Sequence, residues 1–259
     1  MTIRPPAVAG SFYPDHPVAL RAAVKDFLAE AGPWPAECPP KAVIAPHAGY
    51  VYSGPVAGYA FAALRAATVH RVVLIGPAHF VPVRGLAVPS ATAFRTPLGD
   101  VPLDGAALAA IAELPQVQRA DAPHRDEHAL EVELPFLQTI LGAFTLAPLV
   151  VGEARPAEVA EVLGALWGGD ETAIVVSSDL SHYHDYASAQ RRDAATAAAI
   201  EALEPTLGPD DACGHLAIAG LLSEARRRGM QASRLDLHNS GDTAGPKDRV
   251  VGYGAWAFR

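Results

Sequence analysis

Apolar residues fall into two kinds of run along this chain. Short, nearly unbroken stretches recur at residues 41–46 (KAVIAP), 71–76 (RVVLIG), 144–151 (FTLAPLVV) and 172–177 (TAIVVS). Runs of this length, rich in β-branched residues and without polar alternation, predict strands buried on both faces. Longer alanine-rich segments lie between them, and residues 53–64, 156–166, 187–203 and 213–228 read as helices. Ser53 suits an N-cap, and Pro55 would then fall where a missing N–H costs little. Residues 234–238 and 249–258 add strand patterns near the C-terminus.

Strand, helix and strand between residues 41 and 76 make a βαβ crossover, which predicts a parallel pair. The same alternation continues along the chain. It predicts an α/β fold with a mostly parallel central sheet, helices on both faces, and one domain spanning residues 1–259. The 22 glycines and 23 prolines punctuate this pattern and do not gather into a linker. A chain of 259 residues is long enough to bury one large core.

Charge narrows the partners. With 20 Lys and Arg against 28 Asp and Glu, the net charge is −8, which argues against nucleic acid as a partner. The run Arg226-Arg227-Arg228 closes a helix, where cations suit the carbonyl end of the dipole. No stretch approaches the roughly 18 apolar residues of a membrane span, and the opening MTIRPPAVAGSFYP lacks a secretory apolar core. A cytoplasmic protein without a membrane partner is expected. Cys38 and Cys213 alone make no disulfide framework and no CxxC pair. Walker A, G-x-S-x-G, H-E-x-x-H and G-x-G-x-x-G signatures are all missing from the sequence.

Ligands of open α/β sheets bind beyond the carboxyl ends of strands. Three predicted strands end in histidine: Ala45-Pro46-His47, Gly76-Pro77-Ala78-His79, and Ser177-Ser178-Asp179-Leu180-Ser181-His182. A single such histidine is ordinarily a hydrogen-bonding loop residue; three at three strand ends suggest a site. Two imidazoles and a carboxylate make the facial triad of non-haem Fe(II), and the same donors hold catalytic zinc. Asp242, in the turn-rich loop 237–245, is the candidate third ligand, with Asp179 its competitor. His128 and Glu131 stand three apart in the segment Asp126–Leu137, where an amphipathic helix begins, and can share a helix face. Pro123 makes His124 a loop residue before a ligand. Tyr50, Tyr52 and Tyr59 either line the pocket near His47 or pack in loop and helix. Cys213 at a helix start is a buried thiol before it is a nucleophile. Tyr50, His128, Glu131 and Asn239 complete the candidate substrate-binding residues.

Several ordered motifs together resemble the Memo (mediator of ErbB2-driven cell motility) family in its bacterial and archaeal form. They are residues 6–14 (PAVAGSFYP), 46–50 (PHAGY), 76–79 (GPAH), 126–128 (DEH) through Leu134-Pro135, 177–182 (SSDLSH) and 239–242 (NSGD). The resemblance covers nearly the whole chain. It implies a fold similar to the class III extradiol dioxygenases, in which two histidines and a glutamate bind iron and a further histidine is the acid–base catalyst. His47 and His79 match the metal histidines, and His182 matches the acid–base histidine. Asp179 and His182 match residues lining the Memo metal pocket. Animal members carry a cysteine in the loop equivalent to 239–245; here Thr243 stands at that place, with Asp242 beside it.

The expected function is that of a metal-dependent oxidoreductase, with Fe(II) first and copper or zinc as alternatives, acting on a small, phenolic substrate with dioxygen. The rival readings are a phosphopeptide- or protein-binding module with a vestigial pocket, an iron or copper redox-handling protein, and a zinc hydrolase. The resemblance also implies a functional link to AMMECR1-like and radical-SAM proteins.

Overall fold

The four buried runs lie in one nine-stranded sheet of the computed structural model, which describes residues 2–34, 39–65 and 68–259. Cys38 lies outside the described residues. In chain order the strands are β1 (Ile3–Arg4), β2 (Ala42–Ala45), β3 (Arg71–Pro77), β4 (Leu86–Val88), β5 (Ala93–Thr96), β6 (Gly99–Pro102), β7 (Val117–Arg119), β8 (Thr145–Val151), β9 (Thr172–Ser177), β10 (His182–His184), β11 (Ala232–Asn239) and β12 (Val250–Phe258). The helices are α1 (Pro17–Ala31), α2 (Tyr50–Leu64), α3 (Gly105–Ile111), α4 (Ala122–Arg125), α5 (Leu134–Ile140), α6 (Pro156–Ala165), α7 (Tyr186–Glu201) and α8 (His215–Arg227). The main sheet runs β10-β12-β2-β9-β3-β8-β4-β7, with β11 also on β12; β1, β5 and β6 form a small sheet of their own.

The four central strands, β2-β9-β3-β8, are mutually parallel. Antiparallel pairs flank them, where β12 meets β2 and β4 meets β8. The α/β class with helices on both faces is therefore as expected, in a sheet that is mixed at its margins. Each central strand sends alternate residues to opposite faces. Val43, Ala45, Val72 and Leu74 pack with α1, α2 and α5, whereas Ala42, Ile44, Val73 and Ile75 pack with α3, α6, α7 and α8. Burial on both faces explains why these strands read as unbroken apolar runs.

Two expectations change. The strands of the βαβ unit, β2 and β3, are parallel but not neighbours, because β9 lies between them and pairs with both. A crossover fixes the direction of two strands, and a later strand can still be inserted between them. The helix after β2 starts at Tyr50, with Gly49 as N-cap, so Pro55 lies inside it. Ser53 is no cap; its hydroxyl donates to the Ala48 carbonyl at 2.8 Å.

Candidate metal centre

Strands β2, β9 and β3 lie side by side and run the same way, so their carboxyl ends open at one edge. His47 follows β2, His79 follows β3, and Ser177–Asp179 ends β9 between them. The ring centroids of His47 and His79 are 5.2 Å apart. A third ring joins them: His128 lies 5.4 Å from His47 and 4.7 Å from His79. One ligand atom from each of the three histidines lies within 4.8 Å of the others.

Partners behind the rings decide which nitrogen faces the cavity. His79 places Nδ1 2.8 Å from Glu127 Oε1, while its backbone N–H donates to Oε2 at 2.7 Å. The Ala129 N–H donates to the same carboxylate at 3.0 Å. Burial works against the Glu127 charge, but these bonds outweigh it and hold the carboxyl at about 2. On the other side, His47 Nδ1 lies 2.7 Å from Ser177 Oγ, which is also 2.7 Å from the Ala129 carbonyl and 2.8 Å from Glu133 Oε1. A hydroxyl has one proton to donate. Burial raises the Glu133 carboxyl well above its usual range. As a neutral acid it donates to Ser177, which donates to Ala129 and accepts from His47 Nδ1–H. Every contact is then satisfied, and both His47 and His79 turn Nε2 away from these partners.

His47 and His128 are neutral bases. Burial pulls His47 down to about 3 and His128 to about 4, with neighbouring histidines adding to both. His128 Nδ1 is buried without a hydrogen-bond partner. Three imidazoles within reach of one another, two of them with Nδ1 against a carboxylate or a hydroxyl, make an arrangement compatible with a bound metal.

The cluster forms one wall of a cavity of about 720 Å³, which Asp179, His182 and Cys213 also line. Asp179 is buried and accepts from the His47 N–H at 2.8 Å. Burial pushes its carboxyl up, opposed by His182 and by that N–H. His182 is half-buried, and the preceding turn is held by Asp193, which accepts from the Ser181 N–H at 3.0 Å. Cys213 Sγ lies 3.4 Å from His47 Nε2, and burial pushes the thiol up to about 12, so it stays protonated.

Other candidates are placed elsewhere. Residues 129–133 form turns before α5 and His128 lies just ahead of them, so His128 and Glu131 share no helix face. Glu131 points into the protein, where it pairs with Arg4 and accepts from Tyr13 and from the Ala7 and Val8 N–H groups. Tyr50 is buried and donates to the Val132 carbonyl at 2.7 Å, so Tyr52 and not Tyr50 reaches the cavity. Asp242 is exposed and outside the histidine cluster. One of its oxygens accepts from Tyr186 and the other from the Asn239 N–H, because it closes the 3-10 turn Ser240–Asp242. Asn239 is buried and caps the same turn by accepting from Gly241 N–H. Glu127, Ser177 and Glu133 are absent from the sequence-level candidates, although each adjoins a motif used there.

Fold and site together define an α/β protein in which two strand ends and the segment between α4 and α5 bring three histidines into an arrangement compatible with a bound metal. The description of the family "Memo-like protein" matches residues 4–257. A MEMO1 family protein of Aquifex aeolicus is 35% identical over 266 residues, covering 98% of each chain. Another from Thermoplasma volcanium is 32% identical over 261 residues, with 97% of this chain and 96% of the relative covered. A third, from Methanopyrus kandleri, is 34% identical over 285 residues, with 99% of each covered. The chain belongs to the Memo-like family. No helix among the described residues is long and apolar enough to cross a membrane.

Proposed function

We propose that this chain is a metal-dependent oxidoreductase, with Fe(II) held by His47, His79 and His128, acting on a small phenolic substrate. The observation that carries the reading is the anchoring of two of these rings through Nδ1, by Glu127 and by Ser177. Bound Fe(II) would supply Lewis-acid and one-electron chemistry. His182, in the same cavity, takes the phenol proton on its imidazole and returns it later. Asp179 fixes the His47 backbone and stabilises His182 when it carries the proton. Cys213, kept as a thiol, shields His47 without competing as an anion.

A second reading has its own observation: three imidazoles are also the donor set of catalytic zinc. Metal content and affinity after anaerobic purification separate the two. Wild type should hold close to one iron, and His47→Ala/His79→Ala should lose it. His128→Ala should weaken it strongly, Glu127→Gln by about 10–100-fold, and Asp242→Asn not at all. Zinc in place of iron would favour hydrolysis. A folded wild type that binds neither iron, zinc nor copper would overturn the proposal, and loss on Asp242→Asn but not His128→Ala would reassign the third ligand.

A further inference from the structure

The mouth of the cavity holds a strained aromatic residue that burial does not explain. Tyr183 has φ 63°, in the left-handed region that glycine adopts freely and tyrosine does not. The residue is 64% exposed. It is also the extra residue of a bulge, because His182 pairs with Val251 and His184 with Val250, leaving Tyr183 unmatched. Bulges beside sites re-aim a side chain, and strain kept at an exposed position points to use. Here the bulge presents the Tyr183 ring at the cavity, with the Arg249 guanidinium 4.9 Å from its centroid.

Arg249 is, among the described residues, the only lysine or arginine lining that cavity. Among the described residues no carboxylate lies in ion-pair reach of it, in a chain with a net charge of −8. Asp179 is the only acid among the described residues to line the cavity, and its Oδ1 accepts from the His47 N–H. Phe12 and Tyr52 line the same space and add aromatic wall.

We infer that Tyr183 and Arg249 form a specificity subsite for an aromatic carboxylate. The substrate ring packs on the aromatic walls, and its carboxylate takes the planar fork of Arg249. One guanidinium balances one negative charge, which suits a carboxylate better than a phosphate dianion. This narrows the phenolic substrate proposed above to hydroxylated benzoates, and so rests on that reading.

Calorimetric titration of 3,4-dihydroxybenzoate, catechol and phenyl phosphate into the anaerobic Fe(II)-loaded protein tests it, with benzoate and phenol titrated into the metal-free protein. The dihydroxybenzoate should bind about tenfold or more tightly than catechol, and benzoate should bind more tightly than phenol. Arg249→Gln should erase both preferences, and Arg249→Lys should restore part of them. Tyr183→Gly should weaken aromatic carboxylates while keeping or raising Tm, since glycine relieves the backbone; a merely structural tyrosine would lower Tm instead. Equal affinity for dihydroxybenzoate and catechol, or a preference that survives Arg249→Gln, would overturn the subsite and leave the metal reading standing. Tighter binding of phenyl phosphate would overturn the carboxylate assignment. A carboxylate preference seen only without regard to metal or ring hydroxyls would support the subsite and count against the phenol reading.

Discussion

His124 lies four residues from His128 and does different work. It is buried against Phe94, with Nε2 3.0 Å from the Ala87 carbonyl and Nδ1 without a partner. Burial pulls it down to about 4 from an ordinary 6.5. The unfolded chain therefore takes up a proton before the folded one does, and stability falls as pH drops from about 6.5 to 4. At pH 5 this one group should cost about 2 kcal/mol relative to neutral pH. Urea unfolding of metal-free protein at pH 7 and pH 5 should show that loss, reduced by this amount in His124→Phe. At this scale the sequence was readable where a residue follows a strong element. His47 and His79 stand at strand ends and were visible, whereas His124, expected in a loop after Pro123, lies in the short helix α4. His128 was placed among the substrate contacts, since its approach to the other rings depends on an irregular segment that periodicity does not report.

Helices α1 and α2 touch at a glycine. A methyl group at Gly58 would lie 2.5 Å from the Phe27 carbonyl oxygen, which belongs to backbone and cannot swing aside. Gly58→Ala should destabilise by about 1–3 kcal/mol. Gly105, at the start of α3, has open space around the same position. Gly105→Ala should be neutral or stabilise by about 0.4–1 kcal/mol, through reduced freedom of the unfolded chain. Urea midpoints of the two variants check both signs. Most of the strands and helices predicted from the sequence match the structure to within two residues, because both faces of the central sheet are covered; α1 and the short elements between β3 and β8 were not predicted. The start of α2 does not match. Its first N–H, on Tyr50, donates to the Phe12 carbonyl at 2.8 Å, and a partner so distant in sequence replaces a local cap.

Across the whole molecule, the N-terminal segment straps the turn that carries His128. Arg4 pairs with Glu131 and donates to the carbonyls of His124 at 2.9 Å and Glu127 at 2.6 Å. Phe12 then lies 4.8 Å from the His128 ring. Glu131 has no exposed surface, so its removal leaves Arg4 buried without a counter-charge. Glu131→Ala should cost about 3–5 kcal/mol. It should also speed hydrogen exchange of the Ala7 and Val8 amides, which now donate to Glu131. Protection at those amides equal to wild type would refute the strap.

The sequence by itself determined the α/β class, the buried strands and the two histidines that end them, because these depend on local apolar pattern and on position along a strand. Tertiary structure decided which strand lies between β2 and β3. It also brought His128 to the cluster, sent Glu131 inward to Arg4, and closed Asp242 into its own turn. Apart from the Asp242 turn, which also uses a local bond to Asn239, those outcomes rest on pairings between residues tens to more than a hundred positions apart, where charge and hydrogen-bond partners are chosen by proximity in space and leave no period in the chain.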